Sequence, residues 1–339
     1  MTGGSTFIIS LPKRWIDQNQ LGRGSVIRLR EEDGGLLSII PKETSRLEQD
    51  EALIKVSPQD LPGPLIRRVI STYLVGYNMI HIQSENQKQL SAKQRYEIKN
   101  FSRRMLVGTE IVKDTAQELT LQVLVSFPEL SIQSALRRMS IIAASMHRDA
   151  ITAIEKLDSQ QAKEVINTDD EVDRFSLYVV RQLKTAIQNP HIMKEIGLET
   201  AHDCLGYRLV AKSVERTADH AAAIAENILA LKKNVEKKTV EKIETMSKIA
   251  VSMFETAMEA LFRNDYALAE SILEKMNDVV EIEKQAVISS EKSENVEFSY
   301  LRLIIESVRR TAEYACDIAE IVLNLTVRST LIPYPRAQL

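Results

Sequence analysis

Hydrophobic and polar positions follow two different periods along this chain. Up to about residue 127, apolar residues occur in short runs between glycine- and proline-containing turns, a pattern typical of short strands and helices. From residue 130 onward, apolar residues recur every three or four positions, and residues 129–332 include only one proline and two glycines. This second pattern is typical of long amphipathic helices. The sequence therefore predicts a multidomain α+β protein whose last two-thirds is mainly α-helical.

The first 45 residues are rich in glycine and predict a small β-rich domain (1–45). Apolar runs predict three strands, at 6–11, 25–30 and 36–40. Pro12 is expected to open a short helix that runs through Asn19, and Asp33 with the two glycines after it predicts a hairpin turn. So short a domain buries little surface by itself. We therefore expect it to complete its core by forming a homodimer.

Residues 50–127 predict a small α/β domain. Its four predicted strands lie at 53–56, 79–83, 110–113 and 119–125. Two amphipathic helices are expected at 65–74 and 92–105, and Ser91 is the predicted N-cap of the second. At 339 residues the chain is long enough for two or three domains that each bury a core.

Residues 130–327 predict helices throughout. We expect six of them, at 131–157, 159–187, 200–233, 239–264, 266–289 and 295–325. Asp158 and Asp265 have the features of caps at helix turns, and residues 188–199 predict a loop.

An internal repeat divides this helical part in two. SVERTADHAAAIAE at 213–226 returns as SVRRTAEYACDIAE at 307–320, with nine of fourteen positions identical. Residues 146–166 likewise match 253–273 at an offset of 107 residues. Because a repeat of this size indicates one unit built twice, we expect two tandem three-helix bundles, at 130–235 and 238–327.

Composition excludes several classes of protein. The formal net charge is −3, so no global basic field favours nucleic acid. Two cysteines exclude a disulfide framework, and no apolar run is long enough for a membrane span. We expect a soluble cytoplasmic protein without membrane insertion.

The segment STFIISLPKRW, followed by LGRGSVIRLR and DGGLLSIIPK, resembles the swapped-hairpin domain of AbrB/SpoVT-type transcription factors. The resemblance implies an intertwined dimer whose basic side chains contact DNA. A strand precedes the GGST turn in that class, whereas Met1 stands almost on the turn here, so that strand is either missing or encoded upstream. The basic positions expected to contact phosphates or bases are Lys13, Arg14, Arg23, Arg28 and Arg30.

Acidic residues in the first bundle are the strongest candidate for chemistry. Glu215 and Asp219 stand four apart on a predicted helix, so their carboxylates share one face. A pair of this kind is either solvated, paired with a nearby Lys212 or Arg216, or ligating a metal.

The helical part, and SVERTADHAAAIAENI above all, resembles the PhoU family of phosphate-uptake regulators. That resemblance implies metal clusters held by acidic pairs on the bundle helices. The matching ligands are Asp169, Asp173, Glu215 and Asp219. Carboxylates suit a divalent or trivalent ion such as Fe, Mn, Mg or Zn, and no organic cofactor is expected.

The second bundle departs from that pattern. Arg309 stands where Glu215 stands, Glu313 matches Asp219, and Val280 matches Asp173. An arginine repels cations, so we expect Arg309 to pair with Glu313. One metal site is therefore predicted, in the first bundle.

The sequence supports a phosphate-responsive transcriptional regulator, with a DNA-binding dimer head controlled by a metal-binding PhoU-like part. An alternative is an adaptor without DNA binding that docks on a phosphate transporter or signalling protein. An enzyme is disfavoured, because carboxylate-bridged di-metal sites need two Glu-x-x-His pairs and the sequence offers only Glu199 with His202.

Overall fold

The computed structural model describes residues 8–32, 35–41, 51–85, 89–124, 130–291 and 295–332.

In the N-terminal head, α1 is Lys13–Gln18, and strands β1 (Ile27–Glu32) and β2 (Leu36–Pro41) form an antiparallel hairpin. The helix that follows Pro12 is confirmed. The prediction of a first strand is wrong for residues 8–11, which are irregular, because a strand needs a partner for its backbone hydrogen bonds. Residues 6, 7, 33 and 34 of these predictions lie outside the described ranges.

The head exposes most of its apolar side chains. Helix α1 has no buried residue, and Leu29 and Leu37 in the hairpin are each 56% exposed. A two-stranded hairpin is marginally stable in water without a surface to pack on.

The α/β domain is a four-stranded sheet with two helices on one face. Its strands have the order β3-β4-β6-β5, with β3 parallel to β4 and the other pairs antiparallel. The element bounds are β3 Glu51–Val56, α2 Pro62–Val75, β4 Met79–Ser84, α3 Ala92–Met105, β5 Thr109–Asp114 and β6 Glu118–Val123. Ser91 caps α3 as predicted, in a capping box with Gln94. The core includes Ile54, Ile80, Ile82, Leu119 and Leu121.

The helical part follows the predicted order of elements. Its bounds are α4 Ile132–Lys156, α5 Ser159–Gln188, α6 Pro190–Glu195, α7 Ala201–Ala230, α8 Lys237–Arg263, α9 Tyr266–Leu273, α10 Met276–Ser290 and α11 Asn295–Thr326, followed by a 3-10 turn at Val327–Thr330. Asp158 and Asp265 cap α5 and α9 with their side chains, as predicted. Among the described residues, no helix combines the length and the apolarity needed to cross a membrane.

Two details of the helical prediction are wrong. The loop predicted at 188–199 contains the short helix α6, which Pro190 opens at a position that needs no backbone N–H donor. The helix predicted at 266–289 is broken between α9 and α10 by Glu274 and Lys275. Both residues keep right-handed helical dihedral angles, so the apolar period continues through the break and does not reveal it.

The two bundles share one continuous apolar core. Helices α4 and α7 of the first bundle pack against α8 and α11 of the second. His220 and Tyr314 occupy matching positions of the repeat, and their ring centroids lie 5.7 Å apart. Because a contact between matching positions arises on a symmetry axis, the bundles are related by an approximate internal two-fold rotation. At Gly206 a Cβ atom would lie 3.2 Å from the side chains of Ile321 and Leu325, so α7 and α11 pack closely there.

Helix α5 also carries the α/β domain. Arg181 on α5 is 7% exposed, and it donates to the carbonyl oxygens of Tyr73, Gly76 and Tyr77 and to Oδ1 of Asn78. The last three of these contacts are 2.8–3.0 Å long. These carbonyls end helix α2, where the helix dipole favours a cation. One turn earlier on α5, Leu177 packs against the core of the α/β domain.

We expect Arg181→Leu to lower the free energy of unfolding by about 2–4 kcal/mol, because four buried oxygen acceptors lose their donor. Chemical denaturation measures this loss, and hydrogen exchange should accelerate at residues 73–78. Arg208→Ala, at an exposed position of α7, is the control. A change no larger than the control's would contradict the anchoring role of Arg181.

Candidate functional site

Helices α5 and α7 bring the four predicted metal ligands onto facing surfaces. Asp169 and Asp173 lie one turn apart on α5, and Glu215 and Asp219 lie one turn apart on α7. Carboxylate oxygens of Asp173, Glu215 and Asp219 all lie within 4.8 Å of one another. Asp169 lies one turn along α5 from this trio, and its buried Oδ1 has no hydrogen-bond partner among the described residues.

Burial, followed by repulsion from neighbouring carboxylates, raises the pKa values of Asp169, Asp173 and Asp219. The pKa of Asp169 rises to about 7, first because it is partly buried and then because of the charges of Asp173, Asp219 and Glu215. Burial followed by the charges of Glu215 and Asp219 raises the pKa of Asp173 to about 6. The pKa of Asp219 is raised by burial and by Glu215, and Lys212 and Arg216 partly offset this. The cluster therefore carries more negative charge than its surroundings neutralise.

Neighbouring basic residues neutralise the charges of only part of the acidic cluster and of the acidic residues beside it. Lys212 pairs with Glu215, so the predicted alternative of a lysine partner is also realised in the structure. Asp170 pairs with Arg104 from α3 of the α/β domain, and Glu171 is 3.4 Å from Arg174. His220 lies 3.2 Å from the Ser307 hydroxyl on α11 and thus faces the second bundle. Asp170, Glu171 and His220 are therefore engaged away from the cluster.

The donor set fits a metal cation with a preference for oxygen ligands. Three converging carboxylates and a fourth with an unpartnered buried oxygen match the ligands that Mn²⁺, Mg²⁺ and iron take in proteins. A cation here would compete with Lys212 for Glu215. Structural zinc sites prefer cysteine and histidine, and the cluster has neither, so zinc fits less well.

The corresponding surface of the second bundle is built around Arg309. Its Nε lies 3.3 Å from Oε1 of Glu283 on α10, and its Nη1 pairs with Glu313. The predicted pairing of Arg309 with Glu313 is confirmed. Glu283 was missed from the sequence, because the repeat matches Asp173 to Val280 and because the contact of Glu283 with Arg309 depends on how α10 packs against α11.

The basic residues proposed to contact DNA lie on three parts of the head. Lys13 and Arg14 open α1, Arg23 lies in the loop after it, and Arg28 lies in β1. All four are exposed, and none forms an ion pair with a described residue. Arg30 lies in β1 opposite Ser38 of β2. Exposed basic side chains on a small hairpin domain suit contact with a phosphate backbone.

Comparison with known families separates the head from the bundles. The model of the MazE bacterial antitoxin, described as antidote-toxin recognition, matches residues 1–47. The PhoU domain model matches residues 136–228 and 243–322, which lie in the first and second bundles respectively. The resemblances seen in the sequence, to a swapped-hairpin head and to PhoU bundles, are thereby confirmed.

Individual relatives cover the helical part. The chain is 21% identical, over 202 residues, to the phosphate-specific transport system accessory protein PhoU homolog of Clostridium acetobutylicum, a match that spans 57% of this chain and 90% of the relative. The phosphate transport system regulatory protein PhoU from Streptococcus pneumoniae superposes with a TM-score of 0.51 at 18% identity, over 60% of this chain and 96% of that one. PhoU from Pseudomonas aeruginosa superposes with a TM-score of 0.49 at 20% identity, over 58% of this chain and 96% of that one.

At these identities the Streptococcus structure supports the fold of the helical part alone. The family assignment depends instead on the PhoU domain model, which matches half of the chain in two segments that follow the internal repeat. This chain belongs to the PhoU family and has an N-terminal swapped-hairpin domain.

Proposed function

We propose that the chain is a phosphate-responsive transcriptional regulator of phosphate uptake. Its head would bind DNA as a dimer, and its metal-binding helical part would control the head. The observation that carries this proposal is the union in one chain of a MazE-type head with a PhoU domain. The named relatives belong to phosphate transport systems, so phosphate is the proposed signal and the genes of phosphate uptake are the proposed targets.

Dimerisation of the head would bury apolar side chains that a single copy leaves exposed. Ile9, Leu29 and Leu37 are each 56% exposed in one chain, and a second hairpin would cover them. A dimer would also present each basic residue twice, which strengthens attraction to a duplex. The proposed contacts to phosphates or bases are Lys13, Arg14, Arg23, Arg28 and Arg30.

Asp169, Asp173, Glu215 and Asp219 would hold the metal between α5 and α7. A bound cation would supply positive charge that lets these carboxylates ionise together. Asp169 and Asp173 lie on α5, and α5 also holds the α/β domain through Arg181 and Leu177. A change in the packing of α5 against α7 would therefore be transmitted to the α/β domain. This domain follows the head in the chain.

One observation favours an adaptor without DNA binding. The relatives named for phosphate transport match about three-fifths of this chain, a share close to that of the helical part. The bundles would then dock on a transporter or signalling protein, and the head would serve only for dimerisation. The DNA experiment below separates the two proposals.

We expect Glu215→Ala with Asp219→Ala to abolish Mn²⁺ binding while the helical circular dichroism stays unchanged. Two of the three converging carboxylates are lost, and the remaining aspartates on α5 alone bind a hard cation weakly. Metal analysis after equilibrium dialysis measures the effect, with Glu226→Gln, exposed on the same helix, as control. Retained stoichiometric Mn²⁺ in the double variant would rule out this site.

Metal affinity should fall as pH is lowered from about 7.5 to about 5.5. Asp169 and Asp173, with pKa values of about 7 and about 6, must lose protons before they can ligate a cation. Titrations of Mn²⁺ at several pH values measure this dependence. Affinity that is constant across the range would contradict the involvement of these two residues.

The same pKa values predict how stability of the metal-free protein depends on pH. Both pKa values are raised in the folded state above the ordinary 3.8, so the folded chain binds more protons between about pH 4 and 7. Stability should therefore fall as pH rises through this window. Denaturation in the presence of a chelator should show a smaller fall for Asp169→Asn, whereas Asp149→Asn, exposed on α4, should behave as wild type.

Lys13→Ala with Arg14→Ala should weaken binding to DNA from upstream of the protein's own gene. For a dimer that loses four phosphate contacts, the slope of log affinity against log salt should become shallower by about 3–4. Fluorescence anisotropy at several salt concentrations, with unrelated competitor DNA, measures both. Lys237→Ala with Lys238→Ala, exposed at the start of α8, is the control. Wild-type protein that does not bind specifically would favour the adaptor.

A further inference from the structure

One ion pair of the repeat has its charges exchanged between the two bundles. At the repeat offset of 94 residues, Lys212 and Glu215 of α7 match Glu306 and Arg309 of α11. Lys212 pairs with Glu215 in the first bundle, and Arg309 Nη2 lies 3.8 Å from Glu306 Oε1 in the second. The cation therefore sits one turn further along the helix in α11, at the position that Glu215 occupies in α7.

From that position the Arg309 guanidinium reaches three carboxylates. Besides Glu306, it contacts Glu283 on α10 at 3.3 Å and Glu313 on its own helix. The side chains of Arg309, Glu283 and Glu313 are 26%, 26% and 28% exposed, so they are largely withdrawn from water. A guanidinium is suited to this role, because it has five donors in one plane and stays protonated at any physiological pH.

The first bundle has no such cation at its centre. Three of its carboxylates converge within 4.8 Å, the ion pair of Lys212 is with Glu215, and Asp169 keeps a buried oxygen without a partner in the described chain. In the second bundle Arg310 adds a further contact, 3.0 Å from Glu313. The chain itself thus supplies a central cation, Arg309, to the acidic surface of the second bundle, but not to that of the first.

We propose that Arg309 takes the place of the metal ion in the second bundle, which is thereby closed to metal. As regards the first bundle, this inference rests on the proposed metal site. Because the guanidinium is part of α11 and stays protonated, α10 and α11 are bridged whether or not metal is present, whereas α5 and α7 are bridged only when a cation binds. Since α2 and α3 of the α/β domain pack on α5, the half that responds to metal is the half that carries this domain.

The test removes Arg309 in a background where the first site is already disabled by Glu215→Ala and Asp219→Ala. In that background, Arg309→Glu should add about one bound Mn²⁺ per chain, because it restores the carboxylate found at the matching position of α7. Arg309→Gln, which leaves Glu283, Glu306 and Glu313 without the guanidinium, should gain Mn²⁺ with lower affinity. Both variants should be stabilised by Mn²⁺ in thermal unfolding, unlike the parent.

Two controls locate the gained ion. Arg309→Lys keeps a cation and should gain no Mn²⁺. Adding Glu283→Gln to Arg309→Gln should remove the gain, since Glu283 is the ligand contributed by α10. A gain that survives Glu283→Gln would place the ion elsewhere and overturn the inference.

The outcomes separate this inference from the proposed function. Absence of Mn²⁺ gain in both Arg309→Glu and Arg309→Gln would overturn the role of Arg309, whatever the wild type binds. Should Arg309→Glu fail to fold, the uncharged Arg309→Gln decides the question. Wild-type protein that binds no Mn²⁺, together with a gain in Arg309→Gln, would disprove the first-bundle site and leave Arg309 as the residue that excludes metal.

Discussion

The helical part depends on a single constraint, which is that α4, α7, α8 and α11 must bury their apolar faces against one another. Neither bundle closes its core alone, because the apolar side chains of both copies form one cluster. One polar contact, between α4 and α8, lies inside this cluster. His147, fully buried on α4, lies 3.2 Å from the Ser247 hydroxyl on α8, and burial lowers its pKa to about 4, so it stays neutral. The acidic surfaces lie outside this shared core, where α5 meets α7 and where α10 meets α11.

Helix α5 connects this core to the rest of the chain. One side of it packs in the first bundle and carries Asp169 and Asp173, and another side holds the end of α2 through Arg181. A buried guanidinium that satisfies three backbone carbonyls specifies one orientation, because each carbonyl would lose its donor if the domain shifted. The α/β domain is thus a fixed part of the first bundle.

Duplication followed by exchange of charges explains how the two acidic surfaces differ. A lysine and a glutamate in one copy match a glutamate and an arginine in the other, and both pairs are in contact. In the second copy Arg309 pairs with Glu283 and Glu313, whereas in the first copy burial, followed by the charges of neighbouring carboxylates, raises the pKa of Asp169 to about 7. Under the proposed function, the first copy is the one that responds to a cation.

The sequence by itself determined the order of the domains, nearly every helix and strand, and the pairs of acidic residues one turn apart. These features depend on local periodicity, caps and spacing, and such information lies within a few residues of each position. Ser91, Asp158 and Asp265 were identified as caps for this reason. The pairing of Arg309 with Glu313 was likewise readable, because both lie on one helix.

Only the tertiary structure decided which residues meet across helices. Glu283 contacts Arg309, Arg104 contacts Asp170, and Arg181 contacts the end of α2, although 26, 66 and more than 100 residues separate these partners. Such contacts depend on how the helices rotate and pack against one another, which local periodicity does not specify. The first strand of the head was wrongly predicted for a related reason: its local pattern is that of a strand, but a strand exists only where a partner accepts its hydrogen bonds.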